Sequence, residues 1–132
     1  MSRFSLKRSE RLKSQKIISG LFQSAHSFGK APIRILWKVE KNVTQNVPCK
    51  VVIAVPKRKF KKAVHRNRIK RLIKEAYRLN KSDICAFFEE KGLTCHLGIL
   101  FISNEMPTFG TINAQLGKLI ENIPEEYEKH YK

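Results

Sequence analysis

The sequence predicts a two-layer sandwich of the α+β class, in which helices pack on a mostly antiparallel sheet. Two kinds of apolar pattern lead to this class. Short runs of alternating or continuous apolar residues are typical of strands. Longer runs with apolar residues three and four apart are typical of helices. The order α-β-β-α-β-α and a length of 132 residues fit a single domain that spans residues 1–132.

The N-terminal region is predicted to hold a basic arm and a first helix. Residues 1–13 form the arm, with Lys7, Arg8 and Arg11 among its cations. Ser14 is a suitable helix cap, and the helix is expected to run to about Ser24. Its apolar stripe is Ile17, Ile18, Leu21 and Phe22.

Two strands are expected next. The alternation from Ile33 to Val39 puts Ile33, Ile35, Trp37 and Val39 on one face and Arg34, Leu36 and Lys38 on the other. Residues 40–48 are interpreted as a hairpin connection. Lys50–Val55 then forms a second, more buried strand, which Pro56 ends.

The run from Ala63 to Leu79, called here the basic helix, is the most informative part of the chain. Its apolar residues occupy one arc of a helical wheel, about 140° wide. That arc holds Ile69, Leu72, Ile73, Ala76 and Tyr77, while Asn67, Arg68, Lys70, Arg71, Lys74 and Arg78 lie opposite and Arg66 lies on the seam. We expect the apolar arc to dock on the sheet and the cations to face outward.

The rest of the chain predicts a short helix, a strand and a last helix. Ser82–Lys91 is expected to be helical and to end at Gly92, because glycine favours the left-handed conformation that follows many helices. His96–Ile102 is predicted as a buried strand and Phe109–Ile123 as the last helix. Residues 124–132 are interpreted as a polar tail.

The charge balance restricts the class of partner. Lys and Arg total 27 against 11 Asp and Glu, a formal charge of +16. A hydrophobic content of 42% favours a folded domain over a disordered one. Folded domains this basic usually bind nucleic acid or an anionic membrane. No apolar run approaches the ~20 residues that span a bilayer, and the N-terminus lacks a signal peptide's apolar core, so a cytoplasmic protein is expected.

The cysteines and acids do not predict a metal centre or a catalytic site. Cys49, Cys85 and Cys95 are an odd number without a framework spacing, which predicts reduced and mostly buried thiols. Cys95-His96 lacks two further ligands at zinc spacing. No acids pair as a two-metal site requires, so we predict no catalytic side chain and no metal site on this chain.

Cations between Lys57 and Lys81 outnumber the acids twelve to one, with Glu75 as that acid. Arg66–Lys70, Lys70–Lys74 and Lys74–Arg78 are like-charged pairs four residues apart, each costing roughly a few tenths of a kcal/mol. Phosphates would relieve this repulsion, and arginine bonds phosphate in a planar fork. This favours structured nucleic acid over two alternatives, an ordinary solvated face and a membrane surface. Helix-turn-helix, zinc-finger and RRM signatures are absent, so RNA and DNA both stay open.

The same run carries a resemblance to a known family. Ala63–Leu79, with the order Arg-Asn-Arg-Ile-Lys-Arg at its centre, closely resembles the signature of the bacterial ribonuclease P protein subunit. The preceding residues 52–58 and the N-terminal residues 6–12 are also similar to that family. The resemblance is strong over about 50–80 and partial over 4–39, and from residue 82 it rests on element order.

The resemblance implies a fold of the αβββαβα type with a left-handed βαβ crossover, like that of ribosomal protein S5 domain 2. It implies two partners, the catalytic ribonuclease P RNA and precursor tRNA, and no obligate protein partner. Phosphodiester hydrolysis would then use Mg²⁺ bound mainly by RNA. Residues implied to contact the catalytic RNA are Lys57, Arg58, Lys61, Lys62, Arg66, Asn67, Arg68, Lys70, Arg71 and Lys74.

The resemblance also implies a cleft for the single-stranded 5′ leader of precursor tRNA. On this chain it falls at Ile18, Phe22, Arg34 and Leu36. The family often has aromatic residues near Ile18 and Leu36, where stacking is worth roughly 1–3 kcal/mol per base. Trp37 is either a core residue beside Ile35 or, with the register shifted by one, a substitute in the cleft. The rival functions are a general structured-RNA or ribosome-associated module and a protein-only nuclease.

Overall fold

The strands of the chain form one sheet whose spatial order differs from the sequence order. The computed structural model describes residues 26–41 and 48–131. Within them the strands are β1 (His26–Phe28), β2 (Ile33–Lys41), β3 (Cys49–Ala54) and β4 (Leu93–Phe101). The sheet order is β1-β2-β4-β3. Two neighbouring pairs are antiparallel, and β3–β4 is parallel, which confirms a mostly antiparallel sheet.

Three helices complete the described part of the chain: α1 (Ala63–Asn80), α2 (Ser82–Glu90) and α3 (Phe109–Tyr131). The first two connect the parallel strands β3 and β4, as a βαβ crossover requires. The handedness of that crossover stays a prediction. Gly92 has a φ of +68° directly after α2, so the predicted glycine stop is confirmed.

The central strand is β4, the last strand in sequence. Eight consecutive residues from Thr94 to Phe101 are buried except for Leu100, and such continuous burial is typical of a strand covered on both faces. Because β4 lies between β2 and β3, the prediction that residues 40–48 connect a hairpin is wrong. β4 also begins three residues before the predicted His96. The alternation of β2 is local, whereas its pairing partner is set by burial across the whole sheet.

The core lies between one face of the sheet and the helices α1 and α3. Trp37 is fully buried there, which places it in the core and out of the cleft. The apolar arc of the basic helix is confirmed, with Leu72 only half-buried at its edge. The largest fully buried side chains besides Trp37 are Tyr77, Phe88, Phe101, Ile33, Ile35, Ile69, Ile73, Ile84, Leu97 and Ile99.

The last helix is longer than predicted, and the interpretation of residues 124–132 as a polar tail is wrong up to Tyr131. Pro124 lies inside α3, where it lacks the N–H that would bond the preceding turn. Packing compensates for this loss. The ring centroid of Tyr127 is 5.6 Å from that of Phe88, and the ring of His130 stacks on His26 at 4.1 Å.

Several predictions concern residues 1–25, which lie outside the described residues. They are the basic arm with Lys7, Arg8 and Arg11 and the first helix with Ile18 and Phe22. β1 was not predicted from the residues, although the αβββαβα pattern of the family contains a strand at that place. None of the helices in the described part of the chain is long and apolar enough to cross a membrane.

Candidate nucleic-acid interface

The outward face of α1 carries the predicted cations. Arg68, Lys70 and Arg71 are exposed, as is Asn67, and Lys74 is half-buried. Ile69 and Ile73 on the opposite side have no exposed surface, because they fill the space against the sheet. The docking of one side therefore fixes the direction of the other. The result is one rigid helical face that presents positive charge to solvent.

The N-terminus of α1 is arranged to receive an anion. Its N-cap residue is Lys62, without a side-chain capping bond, and the first turn contains no acid. A helix N-terminus carries a partial positive charge and unsatisfied N–H groups, which acidic residues usually neutralise. Here the neighbouring residues are cations instead, so this end of the helix adds to the positive charge of the face.

The segment before α1, residues 57–62, is called the basic loop. It begins with a turn in which the carbonyl of Pro56 accepts bonds from the backbone N–H of Lys59 and Phe60. The Phe60 side chain is buried, with its ring centroid 5.8 Å from that of Phe101. Lys59 donates from Nζ to the carbonyl of Ile102 at 3.1 Å. These contacts leave the side chains of Lys57, Arg58, Lys61 and Lys62 exposed.

Arg66 differs from the other predicted contact residues. It is half-buried on the seam of α1, as the wheel predicted. Its Nη1 donates to the carbonyl of Phe60 at 2.7 Å and to that of Lys61 at 2.8 Å. Part of its guanidinium is therefore bound to the backbone of the basic loop. No pattern of side chains indicates these bonds, because the acceptors are main-chain atoms.

The acid within the cationic segment is neutralised locally. Arg78 donates from Nε to Oε2 of Glu75 at 3.0 Å, and Nη2 bonds the second carboxylate oxygen. This hydrogen bonding lowers the pKa of Glu75 and raises that of Arg78, so both groups stay charged. Arg78 is thus occupied by its neighbour, and the free cationic face extends from the basic loop to Lys74.

The second face of the sheet is the one turned away from α1 and α3. Arg34 is exposed there and Leu36 is half-buried, as the alternation of β2 predicts. Arg34 donates from Nη2 to Oγ of Ser27 at 3.2 Å. Gly98 pairs with Leu36 on one side and Val52 on the other, so the central strand has no side chain at this position. Two apolar side chains therefore flank a glycine here, and the exposed Arg34 lies two residues from Leu36 on the same face.

The second face also carries Lys50 and His96, which the sequence alone did not place there. His96 pairs in register with Lys38 on β2 and with Lys50 on β3, so the three lie in one row across the sheet. His96 is buried, and its Nε2 lies 2.9 Å from Oε1 of Glu40. The row could be found only with the strand order in hand, because its members are far apart in sequence.

The two basic regions meet at one end of the sheet. Arg34 pairs with Leu100, and Leu100 pairs with Ala54 at the end of β3. The basic loop begins three residues after the end of β3, and its Lys59 bonds the residue after β4. The basic loop and the Arg34 end of the second face therefore lie at the same end of the sheet.

The three cysteines show no feature of reactive or metal-binding thiols. Cys49 and Cys95 are buried partners in the β3–β4 register, and Cys85 is half-buried. Hydrogen bonding with Cys85 and burial raise the pKa of Cys49, and burial raises that of Cys95, so both stay protonated. Among residues 26–41 and 48–131, no cluster of three His, Cys, Asp or Glu side chains could hold a metal ion.

The sequence also matches a known protein family. The family model described as Ribonuclease P matches residues 6–123. A Ribonuclease P protein component of Porphyromonas gingivalis is 32% identical over 122 residues, covering 91% of this chain and 87% of the relative.

Solved structures agree on the fold. The RNase P protein of Thermotoga maritima has a TM-score of 0.66 at 23% identity, covering 86% of this chain and 97% of the other. The RNase P protein of Staphylococcus aureus has a TM-score of 0.65 at 21% identity, with coverages of 88% and 95%. Identities this low support the fold alone, whereas the sequence match extends over most of the chain. The chain belongs to the ribonuclease P protein component family.

Proposed function

We propose that this chain is the protein subunit of ribonuclease P and binds the catalytic RNA through α1 and the basic loop. The observation that carries the proposal is the exposed cationic face from Lys57 to Lys74, in a chain that belongs to this family. Phosphate contacts of this kind supply affinity and fix orientation without reading sequence. The family's RNA supplies the remaining specificity through its shape.

Catalysis is assigned to the RNA partner. Metal-assisted hydrolysis needs carboxylates grouped around Mg²⁺. In the described ranges the acids are not grouped in this way, and Glu75 is paired with Arg78. Mg²⁺ held by RNA phosphates would activate the water, and the protein's cations would reduce the repulsion among those phosphates. The protein is therefore expected to lower the Mg²⁺ concentration that cleavage needs.

The second face is proposed to contact the 5′ leader of precursor tRNA. Leu36 and Val52 flank the strand position without a side chain, and Arg34 lies beside them. A base of a single strand could pack on these apolar side chains while its neighbouring phosphate binds Arg34. Ile18 and Phe22 stay predictions for the same cleft. A cytoplasmic location and the lack of an obligate protein partner also stay predictions.

Reconstitution tests the proposal. Purified protein is combined with ribonuclease P RNA, and removal of the leader from precursor tRNA is followed as Mg²⁺ is lowered. We expect cleavage to continue at Mg²⁺ concentrations where RNA alone is inactive. Protein without RNA is the control, and cleavage by it would show a protein-only nuclease. An Mg²⁺ requirement that the protein leaves unchanged would contradict the proposal.

A general structured-RNA module is the second candidate, because the outward groups of α1 suit phosphates and read no base. Affinities for ribonuclease P RNA and for ribosomal RNA are compared at one salt concentration, since salt governs both. Equal affinities would favour this second candidate. Preference for ribonuclease P RNA favours the subunit role.

A further inference from the structure

Arg66 joins two parts of the proposed RNA interface. Its side chain reaches from α1 back to the basic loop, where Nη1 donates to the carbonyls of Phe60 at 2.7 Å and Lys61 at 2.8 Å. An arginine Nη1 carries two N–H groups, so these bonds use both. That nitrogen is then unavailable to a phosphate.

The end of the basic loop, Lys61 and Lys62, is the part that needs such a support. Residues 57–60 are held by the Pro56 turn, the Lys59 bond and the Phe60 ring. Lys61 and Lys62 are exposed and cationic, and Lys62 provides no side-chain cap for the helix. Like charges there repel, so an open loop would separate them. Bonds from a charged guanidinium to carbonyls are stronger than neutral ones and oppose this opening.

We propose that Arg66 is a positioning residue, which holds the basic loop against α1 so that Lys61 and Lys62 meet the same RNA phosphates as Arg68. In this role Nη1 serves the loop, whereas the sequence led us to expect a direct RNA contact from this side chain. The RNA-binding part of this proposal rests on the proposed function. The hydrogen bonds from Arg66 to the loop are present in the free protein and can be tested without RNA.

Amide exchange in the free protein tests the support directly. The backbone N–H groups of His65 and Arg66 bond the Lys62 carbonyl, so their protection reports on the end of the loop that Arg66 is proposed to hold. In Arg66→Gln we expect them to exchange at least about tenfold faster, because the loop opens more often. Arg68→Gln, which removes the same charge from an exposed neighbour, is the matched control and should leave them unchanged. Exchange in Arg66→Gln equal to the control would overturn the proposal.

A double-mutant cycle tests the consequence for RNA binding. Arg66→Gln is combined with the pair Lys61→Gln and Lys62→Gln. If Arg66 acts through those lysines, its substitution should weaken binding at least about threefold less once they are gone. Arg68→Gln in the same background should keep its full effect. A full effect of Arg66→Gln in that background would assign it an independent contact and overturn the proposal.

The outcomes separate this proposal from the proposed function. The cycle is measured with both ribonuclease P RNA and a generic RNA hairpin. Lack of preference between them counts against the subunit role, whereas the coupling between Arg66 and the lysines decides the positioning role. If Arg66→Gln does not fold, Arg66→Lys goes through both measurements, since it keeps the charge but loses the planar fork. An Arg66→Lys variant without accelerated exchange and without coupling would overturn the proposal.

Discussion

The cations of α1 differ in how available they are to bind phosphate. Arg66 and Arg78 are engaged by groups of the same chain, whereas Arg68 and Arg71 are exposed. The helical wheel sets Arg66 apart on the seam but does not distinguish Arg78 from Arg68 and Arg71, because a wheel shows the direction of a side chain and not its partner. Availability to phosphate is therefore decided by neighbouring carbonyls and carboxylates.

Neutralising Arg68 and Arg71 together should reduce the salt dependence of RNA binding. Each phosphate contact contributes roughly 0.7–0.9 to the slope of log affinity against log salt. Arg68→Gln with Arg71→Gln should therefore flatten the slope by up to about two units. Affinity is measured over a series of salt concentrations, with Arg78→Gln as the control. A slope that stays unchanged would remove both residues from the interface.

His26 links the end of α3 to the sheet and should make stability depend on pH. Burial and, next, the nearby His130 lower its pKa from 6.5, while Glu126 acts in the opposite direction. The unfolded chain then binds more protons than the folded one just below pH 6.5. Stability should be full above that pH and fall as the pH drops.

His26→Phe keeps a ring against Trp37 and removes the titration. Between about pH 7.5 and about pH 5.5, the free energy of unfolding should fall less in this variant than in the parent protein. Chemical denaturation at a series of pH values measures the difference. Parallel curves for the two proteins would show that His26 does not titrate in this range.

At the scale of elements, the C-terminal turns of α3 are part of the packed structure. The ring of Tyr127 makes edge contacts with Phe87 and Phe88, with centroids 5.8 and 5.6 Å away. Aromatic pairs contribute about 0.5–1.5 kcal/mol each beyond the area they bury. Substitutions in a polar tail would not change the free energy of unfolding, whereas substitutions in a packed helix end would lower it.

Tyr127→Ala should lower the free energy of unfolding by about 1–3 kcal/mol, because two aromatic pairs are lost. Glu125→Ala on the exposed side of α3 is the control and should change stability by less than about 0.5 kcal/mol. Urea denaturation measures both. A Tyr127→Ala variant as stable as the control would mean that these turns are indeed dispensable.

The elements that the sequence predicted well are those with a strong local period. The basic helix has four of its five wheel positions fully buried, and the stop at Gly92 has a local conformational cause. β1 is three residues long, too short for any alternation to appear. The end of α3 was missed because Tyr127 and His130 were read as polar, although their rings pack at helical spacing. Strand order depends on contacts across the whole chain and has no local signal.

At the scale of the whole molecule, charge is strongly segregated. Residues 1–81 hold 23 of the 27 Lys and Arg, whereas residues 82–132 hold 8 of the 11 Asp and Glu. α1 and the basic loop are thus basic, and the last two helices are mostly acidic. An approaching RNA is attracted to one side and repelled from the other, so binding begins in one orientation.

The repulsion within the basic side should make the free protein sensitive to anions. Inorganic pyrophosphate should raise Tm by a few degrees more than sodium chloride at equal ionic strength, because relief of the like-charged pairs on α1 is worth about 1 kcal/mol. In a Lys70→Gln, Lys74→Gln variant the starting Tm should be higher and the gain smaller. Thermal melts followed by circular dichroism measure this. An equal gain in both proteins would place the anion elsewhere.

The central position of β4 also determines when the sheet can form during synthesis of the chain on the ribosome. β2 and β3 leave the ribosome before the strand that must lie between them. At 5–20 residues per second, synthesis from Ala54 to Phe101 takes roughly 2–10 s. In the later part of that interval, after Asn80 has been added, the cations of α1 are present on the nascent chain, but the sheet that orients them is not yet complete. A chain truncated before β4 would lack the central strand of the sheet, and we expect it to bind RNA through its cations without selectivity.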